Sequence, residues 1–145
     1  MKKLLVAAII SLSSISTAAL AEIKVGIILG FTGPIESLTP AMRDGAKLAF
    51  LEASNSGNLL DGETFTILEA DSTCVDSAAA TAAAEQLVAD GVSAIMGADC
   101  SGVTGAINAN VAVPNGILMV SPSATSPGLS KIADNGTFWR TAPSD

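Results

Sequence analysis

Four short aliphatic runs, each followed by a stretch of different periodicity, govern what this chain can fold into. The first, Ile23 to Leu29, is apolar almost throughout. A strand with one wet face alternates polar and apolar residues, so a continuous run points to a strand covered on both faces. After the turn Gly30-Phe31-Thr32-Gly33-Pro34, Thr39 and Pro40 read as an N-cap and first helical residue. Met42, Ala46, Ala49, Phe50 and Ala53 then recur on one helical face as far as Ser54-Asn55-Ser56-Gly57. A second strand is expected from Thr64 to Glu69 after the Asp61-Gly62 turn. An alanine-rich helix follows, capped by Asp76 and ending at Asp90-Gly91. Val92 to Met96 reads as the third strand, Ser101 to Val113 as a third helix stopped by Pro114, Ile117 to Val120 as the fourth strand and Thr137 to Arg140 as a fifth. The alternation predicts an α/β fold, a doubly wound parallel sheet with helices on both faces and a strand order of 2-1-3-4-5.

In such a sheet the ligand crevice lies beyond the carboxyl ends of the strands, where the strand order reverses. Four segments emerge there: Gly30 to Thr39, Asp71 to Asp76, Gly97 to Ser101 and Ser121 to Pro127. Asp99-Cys100-Ser101-Gly102 ends a strand and opens a helix, so Ser101 stands where free N–H groups and the positive end of the helix favour an anion such as a carboxylate. A serine at this position also commonly does no more than cap its own helix. Ser121-Pro122-Ser123-Ala124-Thr125-Ser126-Pro127 combines four hydroxyls with two prolines, a stiff polar loop able to hydrogen-bond a small zwitterion, or simply an ordinary turn.

Ahead of the first strand, Met1-Lys2-Lys3, the apolar stretch Leu4 to Ile10 and Ala19-Leu20-Ala21 have the three-part layout of a secretory signal, with cleavage expected after Ala21. Ser11, Ser13, Ser14, Ser16 and Thr17 interrupt the apolar run well short of the ~20 residues that span a bilayer. No cysteine stands at the cleavage point to carry a lipid, so the mature protein is expected free in the periplasm. Loss of Lys2 and Lys3 leaves five basic against fourteen acidic residues, a net charge of −9 that argues against nucleic acid and anionic lipid as partners. In an oxidising compartment Cys74 and Cys100 read as a disulfide in preference to a metal pair or two free thiols. Their strands flank the first one, roughly 10 Å apart, so both loops must lean over it to bring the Cα atoms to about 5.5 Å.

Taken as an ordered set, Ile23-Lys24-Val25-Gly26, Thr32-Gly33-Pro34, Cys74, Gly97 to Gly102, Ser121 to Pro127 and Phe138 to Asp145 resemble the branched-chain amino-acid-binding proteins of bacterial ABC importers. The resemblance implies a two-lobed clamshell in which the first lobe holds the α-carboxylate of an amino acid, with this chain, residues 22–145, as that lobe and the second lobe absent from it. By the same resemblance Ser101 and Thr125 offer hydroxyl and N–H to the carboxylate, and the Ser123 carbonyl accepts from the ammonium group. Leu38 lines the side-chain pocket, Cys100 and Ala124 border the ligand, and Cys74 and Cys100 are the disulfide pair. The implied partners are an amino acid and the permease and ATPase of an importer, with a monomeric protein and no cofactor. Asp99 departs from the pattern. It stands where an apolar wall residue is usual, and a carboxylate beside a carboxylate-binding serine costs electrostatic energy. It is therefore expected either to face solvent or to favour a polar or basic ligand side chain.

Enzyme readings find little support. There is no histidine, so a serine hydrolase built on Ser101 or Ser123 would need Lys24, Lys47 or Lys131 as its base. Gly26-x-x-x-Gly30-x-x-Gly33 lacks the G-x-G-x-x-G spacing of a dinucleotide loop. Within binding proteins the rival readings are uptake of amides, urea or small aromatic acids, or a sensor domain.

Overall fold

Val25, Ile27, Ile28 and Leu29 are all buried, so consecutive residues of the first strand point into two separate apolar layers. The structure, a computed structural model, describes residues 22–59 and 62–145. The expected leader and Asp61 of the expected Asp61-Gly62 turn lie outside the described residues. Five strands, β1 (Glu22–Leu29), β2 (Thr64–Asp71), β3 (Ala94–Gly97), β4 (Leu118–Ser121) and β5 (Phe138–Arg140), form one parallel sheet in the order β2-β1-β3-β4-β5. Between them lie α1 (Thr39–Asn55), α2 (Ser77–Ala89), α3 (Ser101–Ile107), a π-helical turn (Asn108–Ala112), α4 (Val113–Asn115) and a 3-10 turn (Pro127–Lys131).

The register separates the two faces of the sheet. Ile28, Ile95, Met119 and Phe138 turn toward α2 and α3 and pack with Ala80, Ala84, Leu87, Val103 and Ile107 in one core. Alanines at Ala80 and Ala84 let α2 lie close to the sheet. Asp76 caps that helix by accepting from the N–H groups of Ala78 and Ala79, both at 2.9 Å, as expected from the sequence. On the opposite face α1 packs Phe50 against Phe65 with ring centroids 5.1 Å apart, and Lys47 pairs with Glu69. Its cover stops there. Beyond it, Ala94, Met96, Leu118 and Val120 line an open apolar groove of about 370 Å³, and Trp139 is 63% exposed. Among the described residues, helices therefore cover both faces of β1 but only one face of β4 and β5.

Several boundaries differ from expectation. Thr39 is not the N-cap of α1. Leu38 holds that position, and the Thr39 hydroxyl donates back to the Glu36 carbonyl at 3.1 Å. β2 continues past Glu69 to Asp71, β3 starts at Ala94 rather than Val92, and β4 runs on to Ser121. Pro114 does not stop the third helix. The ladder shifts to the wider π pattern just before it, with the Val113 N–H donating to the Asn108 carbonyl, and the chain ends its turn only at Gly116 in the left-handed conformation.

Candidate functional site

The site begins where β3 ends. Gly97 has φ +132°, and a Cβ there would run into the carbonyl oxygen of Ile28 on β1, so only glycine lets the two strands leave the sheet side by side. Two residues on, Asp99 turns inward and is 3% exposed. Its Oδ2 accepts from Gly30 N–H at 2.8 Å, and its Oδ1 accepts from Cys100 N–H at 3.0 Å and from the Ser72 hydroxyl at 3.3 Å. Its backbone carbonyl accepts from the Ser123 hydroxyl at 3.0 Å. One residue thus ties together the loops that follow β1, β2, β3 and β4. This corrects the first expectation for Asp99: its carboxylate does not face solvent, and both of its oxygens accept from the frame.

The disulfide lies over the end of β1. Cys74 and Cys100 are bonded with Cα atoms 5.2 Å apart, and Cys74 crosses so close to Gly30 that a Cβ on that glycine would lie 3.2 Å from the Cys74 Cβ. The inward lean expected of the two loops is real, and Gly30 is what makes room for it. Thr73 and Cys74 both take left-handed backbone angles to complete the lean.

Beside the disulfide the crevice loops from β3 and β4 meet. Ser101 does not cap its own helix; its Oγ accepts from the Ser126 N–H at 3.1 Å. An oxygen that accepts from one side keeps its own proton to donate to the other. The first N–H groups of α3 carry no side-chain cap. Thr125 N–H and the Ser123 carbonyl have no hydrogen-bonding partner among the described residues. The Thr125 hydroxyl already donates to a carboxylate, Asp145 Oδ2, at 2.7 Å, and the Asp145 N–H donates to the Thr125 carbonyl at 3.1 Å. Leu38 is 58% exposed at the end of the β1 loop, available as apolar lining.

Ala124, expected beside the ligand, is corrected. It is 1% exposed, and both its backbone groups are used, the N–H by the Ser121 hydroxyl at 3.0 Å and the carbonyl by Arg140 Nη1 at 3.2 Å. It belongs to the frame.

Three frame residues were not singled out from sequence. Ser121, wholly buried, donates to the Ala98 carbonyl while accepting from Ala124. Arg140 reaches from β5 to the carbonyls of Ala124 and Ser126 and to the Ser130 hydroxyl. Asp71 accepts from the Thr32 hydroxyl and from the N–H groups of Thr32 and Thr73. Burial pushes the Asp71 carboxyl up, but the Thr32 hydroxyl and the N–H groups of Thr73, Thr32 and Phe31 outweigh that and hold it below the ordinary carboxylate value. The signal for these residues was polar side chains at the carboxyl ends of strands, which is weak until the strand neighbours are known.

Free N–H donors, a hydroxyl and an unpaired carbonyl stand together at the carboxyl edge of the sheet, the place where open α/β sheets bind small ligands. The family described as "Periplasmic binding protein" matches residues 22–145, and the chain belongs to that family. It is 33% identical over 129 residues to the Leu/Ile/Val-binding protein BraC3 of Rhizobium johnstonii, covering 89% of this chain and 34% of that protein. The branched-chain amino acid transporter substrate binding protein LivJ of Streptococcus pneumoniae, solved in complex with isoleucine, superposes with a TM-score of 0.76 at 30% identity, over 86% of this chain and 34% of that one. A solute-binding protein from R. palustris solved with 4-hydroxybenzoate shares the fold, with a TM-score of 0.70 at 21% identity over 86% of this chain and 32% of that one. The chain spans about a third of the length of these relatives.

Proposed function

We propose that this chain is the amino-terminal lobe of a substrate-binding protein for an amino-acid ABC importer, exported to the periplasm with removal of residues 1–21. It takes the α-carboxylate of the ligand on Ser101 Oγ, the first N–H groups of α3 and Thr125 N–H, and the ammonium on the Ser123 carbonyl. A second lobe closes over the ligand and the closed form is handed, as a monomer, to the permease and ATPase of the importer. The observation that carries the reading is the Ser101–Ser126 hydrogen bond, which joins the α3 amino terminus to the β4 loop with Ser101 Oγ as acceptor and so leaves its hydroxyl proton free to donate. The relatives named for leucine, isoleucine and valine support an aliphatic amino acid as the cargo, and exposed Leu38 suits its side chain.

An aromatic acid is the second reading, because the carboxylate-holding groups serve either ligand and a relative of the same fold was solved with one. Calorimetric titration of the chain with L-leucine, L-isoleucine, L-leucinamide and 4-hydroxybenzoate separates them. The proposal expects the two amino acids to bind, weakly for a single lobe, and the amide to bind at least tenfold more weakly for want of a carboxylate. Equal binding of leucinamide, or a preference for 4-hydroxybenzoate, would overturn it.

A further inference from the structure

In a trans peptide the carbonyl and the N–H point in opposite directions. Two successive peptides of the β4 loop are each tied to the frame by one of these groups, which decides where the other points. The Ala124 N–H is held by the buried Ser121 hydroxyl at 3.0 Å, so the carbonyl of the same peptide, that of Ser123, is aimed away from Ser121. In the next peptide the Ala124 carbonyl is held by Arg140 Nη1 at 3.2 Å, so the Thr125 N–H is aimed away from the guanidinium. Arg140 fixes the far side as well, through the Ser126 carbonyl at 3.0 Å and the Ser130 hydroxyl. The two free groups left by this arrangement are an acceptor followed by a donor, the pair that a zwitterion requires.

We infer that Ser121 and Arg140 are positioning residues that set these two peptides in opposed orientations, Ser121 aiming the acceptor for the ligand's ammonium and Arg140 aiming and polarising the donor for its carboxylate. The inference rests on the amino-acid-binding reading. A bond from a charged donor to the Ala124 carbonyl draws electron density through the peptide and makes the Thr125 N–H a stronger donor. Arg140 does this without touching the ligand: its Nη1 donates to the carbonyls of both Ala124 and Ser126 while Nη2 donates to the Ser130 hydroxyl, which holds the planar guanidinium in place.

The test uses the whole chain with three ligands: L-leucine, 4-methylpentanoate, which lacks the ammonium, and 3-methylbutylamine, which lacks the carboxylate. Arg140→Met is expected to weaken the two carboxylates roughly tenfold to a hundredfold and to spare the amine, with Arg140→Lys recovering part of the loss. Ser121→Ala is expected to weaken L-leucine and the amine and to spare 4-methylpentanoate. Uniform weakening of all three ligands by either variant would mean mere support of the fold and would overturn the inference, as would no change. The ligand-free amide spectrum gives a reading independent of binding. Arg140→Met should move the Thr125 amide proton upfield and Arg140→Lys should return it part of the way, and an unmoved resonance would overturn the inference. If the unsubstituted chain binds none of the three ligands, the amino-acid reading fails while the Thr125 resonance still decides the role of Arg140.

Discussion

Asp99 Oδ2 accepts the Gly30 N–H at 2.8 Å, from the end of β3 to the end of β1, inside a region from which water is excluded. Gly30 is also the residue the disulfide passes over, so the acid and the bridge secure the same point from two sides.

Removing the acid therefore damages the frame before it alters recognition. Asp99→Leu strands the N–H groups of Gly30 and Cys100 and the Ser72 hydroxyl, and is expected to lower stability by about 2 to 4 kcal/mol in urea unfolding. The ranking of amino acids by the surviving folded protein should stay as it was. A changed ranking would return Asp99 to the ligand's surface.

The disulfide closes a loop between residues 26 apart in sequence. In the chain-entropy account that is worth about 3 to 4 kcal/mol. Reduction, or replacement of both cysteines by serine, is expected to lower Tm by roughly 10 °C. It should also weaken ligand binding, since Cys100 immediately precedes Ser101.

The Asp71 carboxyl sits below its ordinary value when folded, because the donors from Thr32, Thr73 and Phe31 outweigh the effect of burial. The unfolded value is about 3.9, so as pH falls through and below that range the unfolded chain takes up a proton more readily than the folded one, and stability drops. The contribution is complete above the unfolded value and is lost as pH falls through the folded one. Asp71→Asn should flatten the acid limb of a stability–pH curve and leave the neutral plateau lower.

Asp145 occupies the Thr125 hydroxyl with a carboxylate of its own. Asp145→Ala frees that donor and removes a negative charge beside an anionic ligand group. Binding of L-leucine is expected to tighten by about threefold to tenfold, with the larger effect at low salt.

The strand order was legible because continuous aliphatic runs such as Ile23 to Leu29 demand two covered faces, and the alternation with helical segments leaves few ways to connect them. Cys74 and Cys100 were legible as a pair, since the order places their strands on either side of β1. Ser101 opens the third helix as read but has a different partner: the cap is a local motif, whereas its actual bond to Ser126 depends on the β3–β4 pairing. Asp99 was misread for the same reason. An acid at a strand end looks exposed until Gly30 and Ser72 are known to lie against it. Arg140 could not be recognised at all, because its role comes from the register of β5 on β4, which brings it alongside Ser121. Nor does local pattern tell which face of β4 stays open, since Leu118 and Val120 are as apolar as Met119.

On the proposed function, ligand recognition sits at the carboxyl-edge crevice and not in the apolar groove beside α1. Titration of the isotope-labelled chain with L-leucine, followed by amide shifts, tests it directly. The amides of Gly102 and Thr125 are expected to move together in a saturable way while those of Leu118 and Val120 stay still. Movement centred on Leu118 and Val120, with Gly102 and Thr125 unmoved, would contradict it.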